Sequence, residues 1–400
     1  MSSQYPSKKI NDEYSHIKNI IKIIIFVNKL KEISMKNGEN ILLGKIDDNG
    51  PLFYISKNDL INHIGIFGLS GFGKTTTCMR ILEGLANNGY KILVFDWHGE
   101  YERFIRSIGG YSINLGIDDY SINPLMIMLN NDIGEHVGFL TDMFTEAFQL
   151  SMPQSYVLRK ILLEIISKSN IQGLTVNRII EELSPKRGQY VSNYETEIRM
   201  ALLRRLEPLN YGISKNIFNA TKVLSADELL SNNISINFRN LSEEGLKRIT
   251  AYTIMRILYS HSIKHSLKRI VVVLEEARNI IPQRRYGDPP SLGEKMVSEL
   301  RKHGVTMIII TQLPSQISYE IVRSLSLIIL HRVNSFEEVL NATGLQSILM
   351  EAAEVAKKVR TLNKGEALIF LPSESTHYKV SILKSNLMND EKDSSELIIS

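Results

Sequence analysis

Short apolar runs, each closed by a polar or glycine-rich segment, recur along this 400-residue chain. They occupy residues 64–67, 91–95, 234–238, 270–274, 306–310, 327–330 and 367–371. A strand with one wet face alternates apolar and polar residues, whereas a continuous run suits a strand buried on both faces, as in a parallel sheet covered by helices. The run at 64–67 leads into a helix-compatible stretch at 76–85 and then the run at 91–95. That is a strand–helix–strand unit of the kind parallel pairing requires. Earlier, Ile41-Leu42-Leu43-Gly44 and Leu52-Phe53-Tyr54-Ile55 flank Asp47-Asp48-Asn49-Gly50-Pro51 and predict a β-hairpin leading into the domain.

After Asn123-Pro124-Leu125 the period changes. Val157, Leu158, Ile161, Leu162, Ile165 and Ile166 repeat at helical spacing, with Arg159, Lys160 and Glu164 on the other face. Ile198, Ala201, Leu202 and Leu206 do the same. The pattern predicts an α/β fold with a mainly parallel sheet and a helical insertion beside it. The expected organisation is an N-terminal arm at 1–36, a first part of the core at 37–133, the insertion at 134–230, a second part of the core at 231–388 and a charged tail at 389–400.

Composition narrows this little. Hydrophobic residues make up 43% and charged residues 22%, ordinary for a soluble globular protein. The single cysteine, Cys78, excludes an internal disulfide and any cysteine-cluster metal site, and an intracellular, cytoplasmic setting is expected. The net charge of +4 does not by itself argue for nucleic acid. It is concentrated in the arm, where Lys8, Lys9, Lys18, Lys22, Lys29, Lys31 and Lys36 face only Asp12, Glu13 and Glu32. The apolar run at 20–27 is interrupted by Lys22 and is far short of the roughly 20 residues a membrane span needs. It reads as an amphipathic helix, with a membrane-surface or partner-binding arm as the alternative.

The most informative stretch is Gly68-Leu69-Ser70-Gly71-Phe72-Gly73-Lys74-Thr75-Thr76, which joins the strand at 64–67 to the helix. It matches the G-x-x-x-x-G-K-[ST] phosphate loop. The glycines allow a turn whose N–H groups point inward at a polyphosphate, and the following helix adds its positive end. Lys74 reaches the β- and γ-phosphates, and the Thr75 hydroxyl ligates Mg²⁺. The spacing therefore predicts a Mg²⁺-dependent nucleoside triphosphate site.

Other strand ends supply candidate partners. The run at 270–274 ends in Glu275-Glu276, which assigns Glu275 to the metal and Glu276 to the attacking water as general base. Gln312 ends the run at 306–310 and Asp96 the run at 91–95, which is where ligands bind in open α/β sheets. A plain strand-end amide and a turn-capping acid are the alternatives. Arg301, just before the strand at 306–310, reads either as a solvated helix end or as an arginine finger reaching a neighbouring subunit.

With these pieces in place the chain resembles the HerA–FtsK superfamily, most of all the HerA branch of hexameric DNA-translocating ATPases. The resemblance rests on the phosphate loop together with Asp96-x-His98-Gly99-Glu100-Tyr101, Asn123-Pro124-Leu125 and Glu275-Glu276-Ala277-Arg278-Asn279 with Pro282. Arg301-Lys302-x-Gly304, Thr311-Gln312-x-Pro314-Ser315 and Gly365-Glu366-Ala367 complete it. It covers roughly residues 38–385. It implies a RecA-like P-loop core with ATP and Mg²⁺ as cofactors. Asp96 and Glu276 would be catalytic acids, Gln312 the sensor and Arg301 the trans-acting arginine. It further implies double-stranded DNA as partner, a homohexamer and a nuclease partner. The chain departs from the family at Arg278, where histidine is usual. It departs again before the phosphate loop, where Asn62-His63 stand in place of a basic residue and the helicases' N-terminal β-barrel is absent or reduced to the hairpin at 41–55.

Two other functions fit the same residues. One is a secretion, conjugation or virion-packaging ATPase docked at a membrane or portal through the basic arm. The other is a nucleotide-gated scaffold without hydrolysis, against which Lys74, Glu276 and Gln312 argue. Gln283-Arg284-Arg285-Tyr286 is the candidate DNA-contacting loop, with a surface salt bridge as its alternative.

Overall fold

A computed structural model describes residues 40–388, apart from 48–49, 61, 127–131, 170, 186–191, 220–221, 264–266, 268, 286, 345–348 and 373–375. The N-terminal arm, the tail from 389 and Tyr286 lie outside the described residues.

The strands are β1 (Ile41–Ile46), β2 (Leu52–Ile55), β3 (His63–Phe67), β4 (Lys91–Asp96), β5 (Tyr111–Asn114), β6 (Tyr120–Ser121), β7 (Lys222–Val223), β8 (Ile234–Asn237), β9 (Ile270–Leu274), β10 (Val305–Thr311), β11 (Leu325–Leu330), β12 (Glu366–Leu371) and β13 (Thr376–Ile382). Apart from the short β6–β7 pair they form one 11-stranded sheet in the order β2-β1-β13-β12-β11-β3-β10-β9-β4-β8-β5. From β11 to β5 every pairing is parallel. From β11 outward to β2 every pairing is antiparallel. The hairpin read from the sequence is present as β1 and β2. It extends the core sheet through β13, with Gly44 opposite Ile382.

The continuous apolar runs are the sheet's interior. Every residue of β3, β9 and β10 is buried. Because side chains alternate across a strand, Ile92 and Val94 of β4 face one apolar layer while Leu93 and Phe95 face the other. Val271 and Val273 of β9 divide in the same way from Val272 and Leu274. The first layer is closed by the helix Lys74–Asn87 through Cys78, Ile81, Leu82 and Leu85. The second merges with the helices Ile133–Phe148, Met152–Ser169, Glu244–Ser262 and Leu292–Lys302 into one continuous cluster. The buried face of Met152–Ser169 consists of the six residues its 3.6-residue period picks out. The helical insertion thus shares the sheet's core instead of forming one of its own.

All parallel strands run the same way, so their C-terminal ends form one edge. That edge carries Gly68 after β3, Asp96 ending β4, Glu275 after β9 and Gln312 after β10. The phosphate-loop strand β3 lies between β10 and β11, with β9 one strand farther and β4 beyond it.

Candidate nucleotide site

The loop from Gly68 to Gly73 is held from outside. Leu69 N–H donates to Arg332 O at 2.9 Å, and Gly365 N–H donates to Phe72 O at 3.1 Å. Gly68 has φ 140°, and a Cβ there would lie 2.7 Å from His331 Cβ, so no other residue fits. Gly71 and Gly73 also have positive φ, and the helix starts at Lys74. Ser70, Phe72 and Thr76 sit within or directly after this turn, and the Arg332 guanidinium lies 5.4 Å from the Phe72 ring centroid. Lys74 Nζ folds back over the loop, donating to Gly68 O at 2.8 Å and Leu69 O at 3.1 Å. Burial lowers the Lys74 pKa, while Glu276, Glu275 and Glu100 oppose that shift.

His331, which the sequence reading missed, anchors the loop's helix. Its Nδ1 lies 2.8 Å from Glu366 O and its Nε2 lies 2.9 Å from Thr77 Oγ1. A carbonyl only accepts, so Nδ1 carries the proton and Nε2 accepts from Thr77. Burial holds the ring neutral, with its pKa at about 4. The one sequence signal was a histidine closing an otherwise apolar strand.

Asp96 is fully buried, at 0% exposure, and both its oxygens are engaged. Oδ1 accepts from the N–H groups of Gly99 at 2.7 Å and Glu100 at 3.0 Å. Oδ2 accepts from Tyr101 N–H at 3.0 Å and Ser235 Oγ at 3.2 Å. In this structure Asp96 shapes the turn at 97–101, the capping alternative of the sequence reading, and it points its carboxylate into that turn. Gly99 takes φ 78°, which the turn requires. Trp97 N–H donates to Glu275 Oε2 at 2.9 Å, and the Trp97 ring stacks on Phe238 at 4.8 Å. The same turn brings Glu100 Oε2 to 2.8 Å from Thr75 Oγ1.

Glu275 is 5% exposed. Burial, then Asp96 and Glu100, push its pKa up to about 8, against the backbone donors Trp97 and His98. The folded chain therefore keeps a proton that the unfolded chain loses above the usual carboxylate range. Stability contributed by this group falls as pH rises from about 4.5 to about 8. His63 and His331, both lowered to about 4, act with the opposite sign below about 6.5. Comparing Glu275→Gln with the parent isolates the glutamate. In chelator, the variant should gain on the parent between pH 5.5 and 8 by denaturant melts. A constant difference across that range would refute the burial argument.

Glu276 is 9% exposed and adopts φ 47°, ψ 47°, a left-handed backbone in a residue other than glycine. Such strain concentrates at functional positions. Its Oε2 lies 3.2 Å from Arg278 Nε and its Oε1 3.7 Å from His98 Nε2. Arg278 also donates to Gln316 Oε1 at 3.0 Å. Gln312 follows Thr311, which pairs in register with Phe67, so it stands beside the start of the phosphate loop.

Arg301 lies at the other edge. Its helix ends before β10 begins, and its charge adds to burial in lowering the pKa of His63, the first residue of β3. About 13 Å of strand separates His63 from Phe67, so Arg301 is across the sheet from its own phosphate loop. The candidate DNA loop is tied down in part: Arg284 pairs with Glu294 at 3.3 Å, and Gln283 Oε1 accepts from Tyr319 N–H at 3.0 Å.

The arrangement suits a Mg²⁺–nucleotide. The loop's positive-φ turn, Lys74 and the Thr75 hydroxyl supply the donor types a polyphosphate and a hard cation need. Among the described residues no group of three or more His, Cys, Asp or Glu forms a cage. Mg²⁺ needs none, since it binds mainly through phosphates and water.

A phosphate loop on the central strand of a largely parallel sheet, with acids and an amide at the same edge, defines a RecA-like P-loop ATPase core. Solved structures of that type overlay on it. VirB4 of Thermoanaerobacter pseudethanolicus matches with a TM-score of 0.69 at 18% identity, over 88% of this chain and 98% of that one. The plasmid coupling protein TrwB, in complex with the GTP analogue GDPNP, matches at 0.60 and 12% identity, over 82% and 87%. Residues 41–257 match the family described as Helicase HerA, central domain. The chain belongs to that family. It is 23% identical over 364 residues to the DNA double-strand break repair helicase HerA of Sulfolobus acidocaldarius, covering 82% of this chain and 66% of that protein. It is 24% identical over 366 residues to a probable helicase of Methanocaldococcus jannaschii, covering 85% and 68%. The chain thus spans about two thirds of the length of these relatives.

Proposed function

We propose that the chain is a Mg²⁺-dependent ATPase motor of the HerA type that moves double-stranded DNA through a homohexameric ring. The observation that carries the reading is the phosphate loop facing Glu276 and Gln312 at one sheet edge, in a chain of the HerA helicase family. Glu276 acts as base, Gln312 senses the γ-phosphate, and Lys74 and Thr75 hold phosphate and metal. Asp96 serves by shaping the turn at 97–101. Arg285, beside the anchored Arg284, is the residue of the 283–286 loop proposed to meet DNA phosphates. Among the described residues no helix is long and apolar enough to cross a membrane. A cytoplasmic site of action and a nuclease partner belong to the same proposal.

A second reading, a conjugation or secretion ATPase, draws on the overlay with VirB4 and TrwB. DNA-stimulated hydrolysis separates the motor from a secretion ATPase. Linear duplex DNA should raise the ATPase rate of the wild-type chain, and Lys74→Ala should lower it about 10²-fold or more. A rate indifferent to DNA would count against the motor and favour a secretion ATPase. Wild-type turnover in Lys74→Ala would sink both.

A further inference from the structure

A threonine hydroxyl that ligates a metal does so through a lone pair and still carries its proton, which needs an acceptor to fix its direction. Of the four acids at this sheet edge, Asp96 is taken up by its own turn and Ser235, and the structure separates the other three. Glu275 Oε2 takes the Trp97 N–H at 2.9 Å. Glu276 stands against Arg278 at 3.2 Å. The oxygen that meets Thr75 Oγ1, at 2.8 Å, is Glu100 Oε2.

Glu100 is not there by chance of rotamer alone. Asp96 Oδ1 accepts from the Glu100 N–H itself at 3.0 Å, and from Gly99 at 2.7 Å. Asp96 Oδ2 accepts from Tyr101 on the other side at 3.0 Å. Glu275 holds the turn's first residue, and Trp97 is stacked on Phe238. Two buried acids and an aromatic pair thus brace a turn whose outward-facing carboxylate reaches the phosphate loop from β4.

Resting on the ATPase reading above, we propose that Glu100 is the metal-side carboxylate of this site. It accepts the Thr75 hydroxyl proton and so turns the hydroxyl lone pair toward the Mg²⁺ of a bound Mg²⁺–nucleotide. Glu275, placed on the metal by the sequence reading, instead anchors the turn that carries Glu100. Glu100 is a positioning residue and Thr75 the ligand.

The test is the Mg²⁺ dependence of nucleotide binding, which needs no turnover. A fluorescent non-hydrolysable ATP analogue is titrated against the full chain in EDTA and then across a Mg²⁺ series, for wild type, Glu100→Ala and Glu100→Gln. In EDTA the three should bind within about twofold of one another. The Mg²⁺ concentration at half effect should rise about 10- to 100-fold in Glu100→Ala, the usual cost of losing a partner behind a metal ligand. Glu100→Gln should fall between, because its amide oxygen accepts the proton but brings no charge. An unchanged Mg²⁺ midpoint in Glu100→Ala would overturn the proposal. So would an equal loss in EDTA, which would mean that the loop, not the metal shell, had been disturbed. Wild type that binds the analogue in neither condition would remove the ATPase reading itself, an outcome visible before any variant is compared.

Discussion

Glu276→Gln should bind ATP as tightly as the wild type and fail to turn it over, so that ATP stays in the site after one equivalent is added. The substitution keeps the side chain's size, so the left-handed backbone at φ 47° is disturbed no more than in the parent. What is lost is the negative charge and the proton acceptor. General-base catalysis is typically worth about 10²–10⁴-fold, and the single-turnover rate should fall by that factor. Arg278 Nε lies 3.2 Å and His98 Nε2 3.7 Å from the two Glu276 oxygens. Rapid quench of a single turnover, with the retained nucleotide separated on a desalting column, distinguishes trapped ATP from ADP. Turnover near the wild-type rate would assign the base elsewhere.

Arg301→Ala should also stop hydrolysis, but the defect should be repaired by a neighbour. Arg301 lies at the β3 end marked by His63, across the sheet from the phosphate loop of its own chain. A side chain there is out of reach of its own loop, so the arginine-finger reading requires a nucleotide bound by an adjacent subunit. Guanidinium suits the task, since its planar fork holds two oxygens of the transferring phosphoryl group at once. Such a finger contributes about 10³-fold or more in rate. Arg301→Lys keeps the charge and loses the fork, so it should slow turnover while leaving ATP affinity and oligomer size unchanged. Rings mixed from Lys74→Ala and Arg301→Ala chains should regain part of the activity each pure ring lacks, because one supplies intact sites and the other intact fingers. Verified mixed rings without recovery would argue against trans action. An active monomer would leave Arg301 a solvated helix residue.

The sequence by itself determined the elements whose chemistry or burial is extreme. Strands buried on both faces have no polar alternation to blur them, and β3, β4, β8, β9, β10, β11 and β12 all follow runs visible in the chain. The phosphate loop was equally plain, because its glycine and lysine spacing serves one backbone geometry. The elements that escaped have weaker periods. β13 is mostly half-exposed, and β5 is four residues long. The helix Glu244–Ser262 is buried nearly all round, with Ile249, Tyr252, Met255 and Leu258 among its covered residues, so it shows no amphipathic stripe. Only the tertiary structure decided which partner each acid meets. Asp96, Glu100, Glu275 and Glu276 are interchangeable as letters. They differ in which donors each oxygen meets: three backbone N–H groups and a serine for Asp96, Trp97 for Glu275, Arg278 for Glu276 and Thr75 for Glu100. Those donors come from residues as far as 178 positions apart in the chain. The register between β4 and β9 sets them face to face, and no local pattern along the chain encodes that register.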